Sequence, residues 1–408
     1  MLKLTNARIF DGVNEELIEN GQVLIENDRI REVSDRPIAA DNADVLDCGG
    51  RFLMPGLIDL HFHAYSATFD FQWLDRMPKP LLVSYAIKHL SDCLQRGFTT
   101  VRDPGGGDIG LHMAIEEGLL DGPRFFYGGK ALSQTGGHGD MRLPGHADPC
   151  NCAYSGVICR VVDGADEVRK VAREELRRGA DHIKVFISGG VASPSDPMWM
   201  PQFTEAELAA AVEEARSRRK YVIAHCHTDD GARRCLDVGI RSIDHATEIS
   251  EETAQRIAQS TETFTVPTLA VLHLGAEHGA EAGMQPQSLA KLNGVREQML
   301  TSIETCRRAG VKIGLGTDVF GTQHHDFQAS EFRYRAEVDQ PIDILRSATS
   351  INAEIMQRKG ELGVVAPGAL ADLIVLDGDP LKDVSVFERY RTEMPVIIKG
   401  GQFRRRRL

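Results

Sequence analysis

The chain has 408 residues, room for one large domain and a smaller companion, and its 47 basic and 59 acidic side chains leave a formal charge of -12. That balance argues against nucleic acid or an anionic membrane as the main partner, and no apolar run reaches the ~18–20 residues of a membrane span. The N-terminal MLKLTNARIFDG alternates like a strand and lacks the long apolar core of a signal peptide, so a cytoplasmic enzyme is the expectation.

Residues 1–55 read as short strands joined by polar turns, in LKLTNARIFD, GQVLIENDRIREVS and ADVLDCGGRFLMPG. Residues 56–359 have a different texture. Runs of β-branched residues alternate there with helical patterns such as LLVSYAIKHLSDCLQRG, GADEVRKVAREELRRGA and TEAELAAAVEEARSRRK, the last opened by Thr204 and Glu207 at capping-box spacing. The strand candidates are FLMPGLIDLHFH, FTTVRDPGG, RFFYGGKALS, HIKVFISGG, YVIAHCH, RSIDHATEI, TFTVPTLAV and KIGLGTD. Eight strands with intervening helices over roughly 300 residues predict an α/β fold of the (β/α)8 barrel type. A doubly wound open sheet would not bring residues from so many strands to one centre. Residues 360–408 return to the earlier style in ALADLIVLDGDP and EMPVIIKGGQFR, so the two ends are expected to form one small β-sandwich outside the barrel. The closing run Arg404–Arg407 reads as a solvated tail.

The segment from Gly136 to about Val161 is long, rich in Gly, Pro and Cys, and follows the third strand. In a barrel it would lie over the catalytic face. The eight cysteines are scattered, and Cys150, Cys152 and Cys159 lack a paired C-x-x-C partner, so they read as reduced thiols in a loop.

Six residues carry the chemistry: His61 and His63 in GLIDLHFH, Lys184 in HIKVF, His225 in YVIAHCH, His245 in SIDHATE and Asp318 in IGLGTD. Each stands at or near the end of an apolar run. Side chains two apart in a strand share a face, so Asp59, His61 and His63 point one way and Leu60 and Phe62 the other. Two imidazoles on one face can grip an ion. A single one is more commonly a hydrogen-bonded core residue, but the series along successive strands favours metal. Asp59, one residue pair deeper, reads as support for the ligands. Lys184 sits where both strand faces should be covered, and lysine is rarely buried without a partner or a task. A neutral amine can take up carbon dioxide to give an anionic, bridging carbamate; a Schiff base or a snorkelling lysine are the other readings of Lys184. His227 repeats the H-x-H spacing with His225, and one of the two suffices for a metal set. Asp318 follows glycines that permit close backbone approach. A carboxylate beside a zinc-bound water, whose pKa is near ~7, can both ligate and accept a proton. His138, in TGGHGD, follows the third strand at the same face.

These motifs resemble the amidohydrolase superfamily over essentially the whole chain, from MPGLIDLHFH through the barrel to the re-entry segment GVVAPGALADLIVLDGDPL. ALSQTGGHGD, HIKVFISGGVASPSDP and GFTTVRDPGG are most similar to the Xaa-Pro dipeptidase (prolidase) and imidazolonepropionase-related branch. The resemblance implies two divalent metal ions, zinc foremost. His61 and His63 would bind the more buried one and His225 and His245 the other, with a carboxylated Lys184 bridging and Asp318 completing the site. It further implies a metal-bridging hydroxide that attacks a small amide, Asp318 as general base and acid, and His138 steadying the oxyanion with a metal. His138 and His227 are the expected substrate contacts. The similar dipeptidases often carry a tyrosine at the position of His227, and an imidazole there would donate to a substrate carboxylate in a pH-dependent way. The expected substrate is a dipeptide of Xaa-Pro type or an N-acyl amino acid. The alternative is a non-peptide C–N bond in a cyclic amide, urea, carbamate or amide xenobiotic. A cyclic deaminase usually carries one metal and an H-C-D-E-type strand, where this chain reads His225-Cys226-His227-Thr228 and keeps Lys184. A non-catalytic scaffold would be expected to lack ligands, and all six are present. A homo-oligomer is expected, since related barrels often assemble.

Overall fold

The computed structural model describes residues 1–40, 42–143, 145, 155–193, 196–292 and 294–408. The chain opens with β1 (Leu2–Ile9), β2 (Ile18–Glu26), β3 (Arg29–Ser34), β4 (Asp44–Asp47) and β5 (Phe52–Pro55). β1, β2 and β3 form an antiparallel meander. The other edge of β1 is divided: β4 pairs in parallel along Leu2–Thr5, and β5 along Arg8 and Ile9. The Gly49–Gly50 turn, with φ of +61° and +78°, lets the chain bend between the two.

The barrel follows. β6 (Leu57–Asp59), β7 (Phe98–Asp103) and β8 (Arg124–Tyr127) pair in parallel. The third predicted strand, RFFYGGKALS, breaks at Gly128–Lys130, and its second half becomes β9 (Ala131–Ser133). β9 pairs with β10 (Cys159–Val161) on one side and β11 (His182–Phe186) on the other. β12 (Tyr221–Cys226), β13 (Ser242–His245) and β14 (Phe264–Val266) continue the parallel series. KIGLGTD forms a single parallel bridge, Ile313 with Thr265, rather than a full strand. Its backbone nevertheless closes the ring: Gly314 N donates to Thr265 O at 2.8 Å, Leu60 N to Leu315 O at 3.0 Å, and Asp318 N to His61 O at 2.7 Å.

Helices cover the outside. In the helix Ala165–Arg177, Val168, Val171, Ala172 and Leu176 are buried at helical spacing. They share one apolar core with Ile183 and Val185 of β11 and Val222 and Ala224 of β12. The helix Glu205–Ser217 starts at the expected capping box of Thr204 and Glu207. Among the described residues no helix is long and apolar enough to cross a membrane.

The chain then returns to the first sheet through β15 (Leu373–Leu376), β16 (Val396–Lys399) and β17 (Gln402–Arg406). β15 lies antiparallel to β5, so the two ends of the sequence meet in one eight-stranded sheet forked at β1. Arg124 of β8 ties this sheet to the barrel through Asp372, at 2.7 and 3.1 Å. The arginine run is not a solvated tail. Arg404–Arg406 belong to edge strand β17, and Arg405 donates to the carbonyls of Tyr390, Met394 and Gln95 at 2.8, 3.0 and 2.8 Å. Positive side chains at a sheet edge also oppose pairing with another edge. Cys150 and Cys152 lie outside the described residues, while Cys159 is buried and free.

Candidate active site

The six expected ligands line one cavity, together with His138 and His227, where the barrel strands end. Lys184 and His225 arrive there by simple alternation. Their neighbours Ile183, Val185, Ala224 and Cys226 turn outward into the helix-facing core. His61 and His63 lie just beyond the end of β6. Their segment is held by Phe62 N donating to Arg102 O at 3.1 Å and by the Asp318 N to His61 O bond. A side chain on Gly316 would come within 2.8 Å of His61 Cβ, so the closing segment can pass His61 only as glycine.

His245 and Asp318 are delivered by backbone turns. Both have left-handed φ, +72° and +53°, a conformation that costs a non-glycine residue on the order of 1–3 kcal/mol. β13 aims Ser242 and Asp244 at Arg102 inside the barrel, so alternation alone would turn His245 outward. The left-handed turn at the strand end brings it back.

His63 Nε2 and His61 Nε2 lie 3.4 and 3.5 Å from Asp318 Oδ1, and ligand atoms of these three residues fall within 4.8 Å of one another. Two ligands ~2.1 Å from a tetrahedral ion stand about 3.4 Å apart, so each histidine stands from Asp318 at the spacing of a coordination sphere. The other ring nitrogens face polar atoms, although that of His61 stands at ion-pair distance without hydrogen-bond geometry. His63 Nδ1 donates to Gly105 O at 2.9 Å, His61 Nδ1 is 2.9 Å from Asp244 Oδ2, and His245 Nδ1 is 2.8 Å from Thr268 Oγ1. His225 is turned the opposite way: its Nε2 donates to Gly189 O at 3.3 Å, which leaves the lone pair on Nδ1. Such outer contacts fix the tautomer and aim of a ligand.

Burial would lower His63, but Asp318 and Asp103 outweigh it and raise its pKa, while the other three expected histidine ligands are held neutral. Burial lowers His61 to about 4 and holds His225 and His245 well below the ordinary imidazole value, so all three are neutral at neutral pH. Burial also lowers Lys184, whose Nζ has no hydrogen-bond partner and lies 3.6 Å from Asp244 Oδ2. Burial would raise Asp318, but His61, His63 and Lys184 outweigh it and keep the carboxyl below its usual range. Neutral imidazoles and an ionised carboxylate are what a divalent cation requires.

The model of the amidohydrolase family matches residues 52–402. The chain belongs to that family. Ochratoxinase from Aspergillus niger is 32% identical over 368 residues, covering 86% of this chain and 75% of that protein. A prolidase solved in complex with N-methylphosphonate-L-proline is 42% identical, with a TM-score of 0.96 and 100% of both chains covered. A Xaa-Pro dipeptidase with bound methionine is 28% identical, with a TM-score of 0.88 and 99% of both chains covered. This amidohydrolase is accordingly a hydrolase of carbon–nitrogen bonds, on a TIM-barrel-type α/β fold.

Beneath the expected ligands the amidohydrolase barrel holds a pair the sequence reading missed. Arg102 Nη2 donates to both oxygens of Asp244, at 3.0 and 3.2 Å, and Arg102 Nε to Leu60 O at 2.6 Å. Both side chains are fully buried. Burial would raise Asp244, but Arg102 and Lys184 outweigh it and hold its carboxyl far below the usual range. The available signal was an arginine inside the apolar strand FTTVRD. Asp244→Asn leaves the Arg102 charge unpaired and is expected to remove about 3–5 kcal/mol of stability. An unchanged midpoint in chemical denaturation would overturn that.

A second group missed from sequence supports His138. Its Nδ1 lies 2.8 Å from Ser193 Oγ and 3.3 Å from Asp196 Oδ2, and its backbone N donates to Gln202 Oε1 at 2.9 Å. His227 Nδ1 is 2.7 Å from Thr247 Oγ1. Asp59 does not enter the cavity wall. It accepts from His61 N at 3.0 Å and from Thr317 Oγ1 at 2.6 Å, and so braces both ligand segments. The loop after the third strand contributes Met141, Ile158 and Cys159 to the wall.

Proposed function

We propose that this amidohydrolase cleaves the amide bond of a small substrate whose amine half is an amino acid, either a dipeptide of Xaa-Pro type or an N-acyl amino acid. One observation carries the reading. Donor atoms of His61, His63 and Asp318 stand at coordination spacing in a cavity whose wall also offers the imidazoles of His138 and His227. Two divalent metals, zinc foremost, would be held by His61 and His63 and by His225 and His245, with an N-carboxylated Lys184 between them and Asp318 completing the set. When bound, such a pair supplies Lewis acidity and makes water acidic enough to attack at neutral pH.

The chain's own residues do the rest. Asp318, kept ionised, accepts a proton from the attacking water and passes it to the leaving nitrogen. The water oxygen ends on the acyl carbon as the C–N bond breaks, giving a carboxylic acid and an amine. His138, held through Nδ1, turns Nε2 toward the substrate carbonyl. Among the described residues no arginine lines the cavity, so the substrate carboxylate falls to imidazole donors, His227 foremost. Likeness to a prolidase that binds N-methylphosphonate-L-proline supports proline as an accepted amine half.

The test screens zinc- or manganese-loaded protein against dipeptides and N-acyl amino acids. Turnover of proline amides is expected with kcat/KM of about 10⁴ M⁻¹s⁻¹ or more. Inactivity across that library, with turnover of ureas or cyclic amides, sinks the reading.

A further inference from the structure

The cavity runs from a histidine-lined end to an apolar one. Histidine rings run in a row, His63 to His61, His245, His225 and His138, with centroids 5.2, 5.0, 4.5 and 4.2 Å apart in succession. His138 closes one end. At the other end Phe320 lies against His63, 4.9 Å between centroids, and packs with Phe69 at 5.6 Å and Phe71 at 5.5 Å. Met141 and Met284 complete this collar. The same Phe69, Phe71, Met141 and Met284 continue outward into an adjoining hollow with Leu143.

A free dipeptide carries its α-ammonium one carbon from the scissile carbonyl, so that cation must sit beside the catalytic residues, not at the mouth. Burying it without a partner is costly. Among the described residues Asp318 is the one carboxylate on the cavity wall, and it already faces His61 and His63. The acids behind the wall are engaged too. Asp103 accepts from the backbone N of Ala64, Gly105 and Gly107, Asp196 from Gln202 and Gly190 N, and Asp244 from Arg102. Asp70 lines only the outer hollow, where it caps a helix at Trp73 N.

We infer that this enzyme is an amidase for N-acyl amino acids whose acyl group is uncharged and apolar, with an aromatic ring favoured, and that free dipeptides are its poorer substrates. The inference rests on the function proposed above and narrows its substrate class. Phe69, Phe71 and Phe320 are the specificity residues.

The test compares N-(3-phenylpropanoyl)-L-proline with L-phenylalanyl-L-proline, which differ only in the α-ammonium, and with N-acetyl-L-proline, which lacks the ring. On the zinc-loaded enzyme, kcat/KM for the phenylpropanoyl compound is expected to exceed each of the others by about tenfold or more. Phe71→Ala should narrow the gap to the acetyl compound and leave the gap to the dipeptide. Titration calorimetry of the products, which needs no turnover, should show 3-phenylpropanoate binding more tightly than L-phenylalanine. Equal or faster cleavage of the dipeptide overturns this inference and leaves the proposed function standing. Failure to cleave any of the three overturns both.

Discussion

Lys184→Ala is expected to lose metal and turnover without losing the fold. Lys184 Nζ is buried with no hydrogen-bond partner, and burial lowers its pKa. An amine in that state adds little to stability, and removing it takes an unsatisfied polar atom out of the interior. The metal-free variant should therefore unfold at the wild-type denaturant concentration or above it. If the carboxylated lysine is the anionic bridge, the loaded variant should retain about one metal or fewer per chain where the wild type is expected to hold two. Its kcat/KM should fall on the order of 10³-fold. Metal analysis after buffer exchange and a denaturation curve of the metal-free protein separate the two roles. Wild-type stoichiometry in the variant removes Lys184 from the site, while a large loss of metal-free stability assigns it to the fold through Asp244, 3.6 Å away.

Asp318→Asn is expected to lower kcat by about 10²–10⁴-fold with a much smaller change in KM. Asparagine keeps the size of the side chain and can no longer take a proton. It is also the non-glycine residue best suited to the left-handed backbone, here at φ +53°, so the substitution does not confuse lost chemistry with backbone strain. Steady-state kinetics on the loaded variant, with circular dichroism to check the fold, gives the answer. A wild-type kcat would show that Asp318 moves no proton in the rate-limiting step.

Alternation made Lys184 and His225 legible in advance, because each occupies an inward position of a strand whose other face is apolar, and β11 and β12 keep that register. The capping box at Thr204 was legible for a similar reason, since it is satisfied within one turn of helix. His245 was expected from its place in the series, and alternation would have excluded it: Asp244 holds the inward position, and His245 returns to the cavity through a positive φ. His61 and His63 were placed on a strand face, whereas the strand stops at Asp59 and the segment beyond it is held by bonds to β7 and to the closing segment. The Arg102–Asp244 pair and the Ser193–Asp196–Gln202 support of His138 join residues far apart in the chain. No local pattern signals such a pairing.

By itself the sequence pointed to the α/β barrel class, the family and the candidate ligands that the structure brings to one cavity, because these depend on residue type at strand spacing and on hydrophobic period. Tertiary structure decided which ring nitrogen each histidine turns inward, how Asp318 stays ionised in a buried site, and where the acidic side chains near the cavity are spent. The physical reason is that each of these is a competition between burial and partners brought from distant segments. The apolar collar and the shortage of free carboxylates among the described residues, on which the proposed substrate preference rests, are results of that competition.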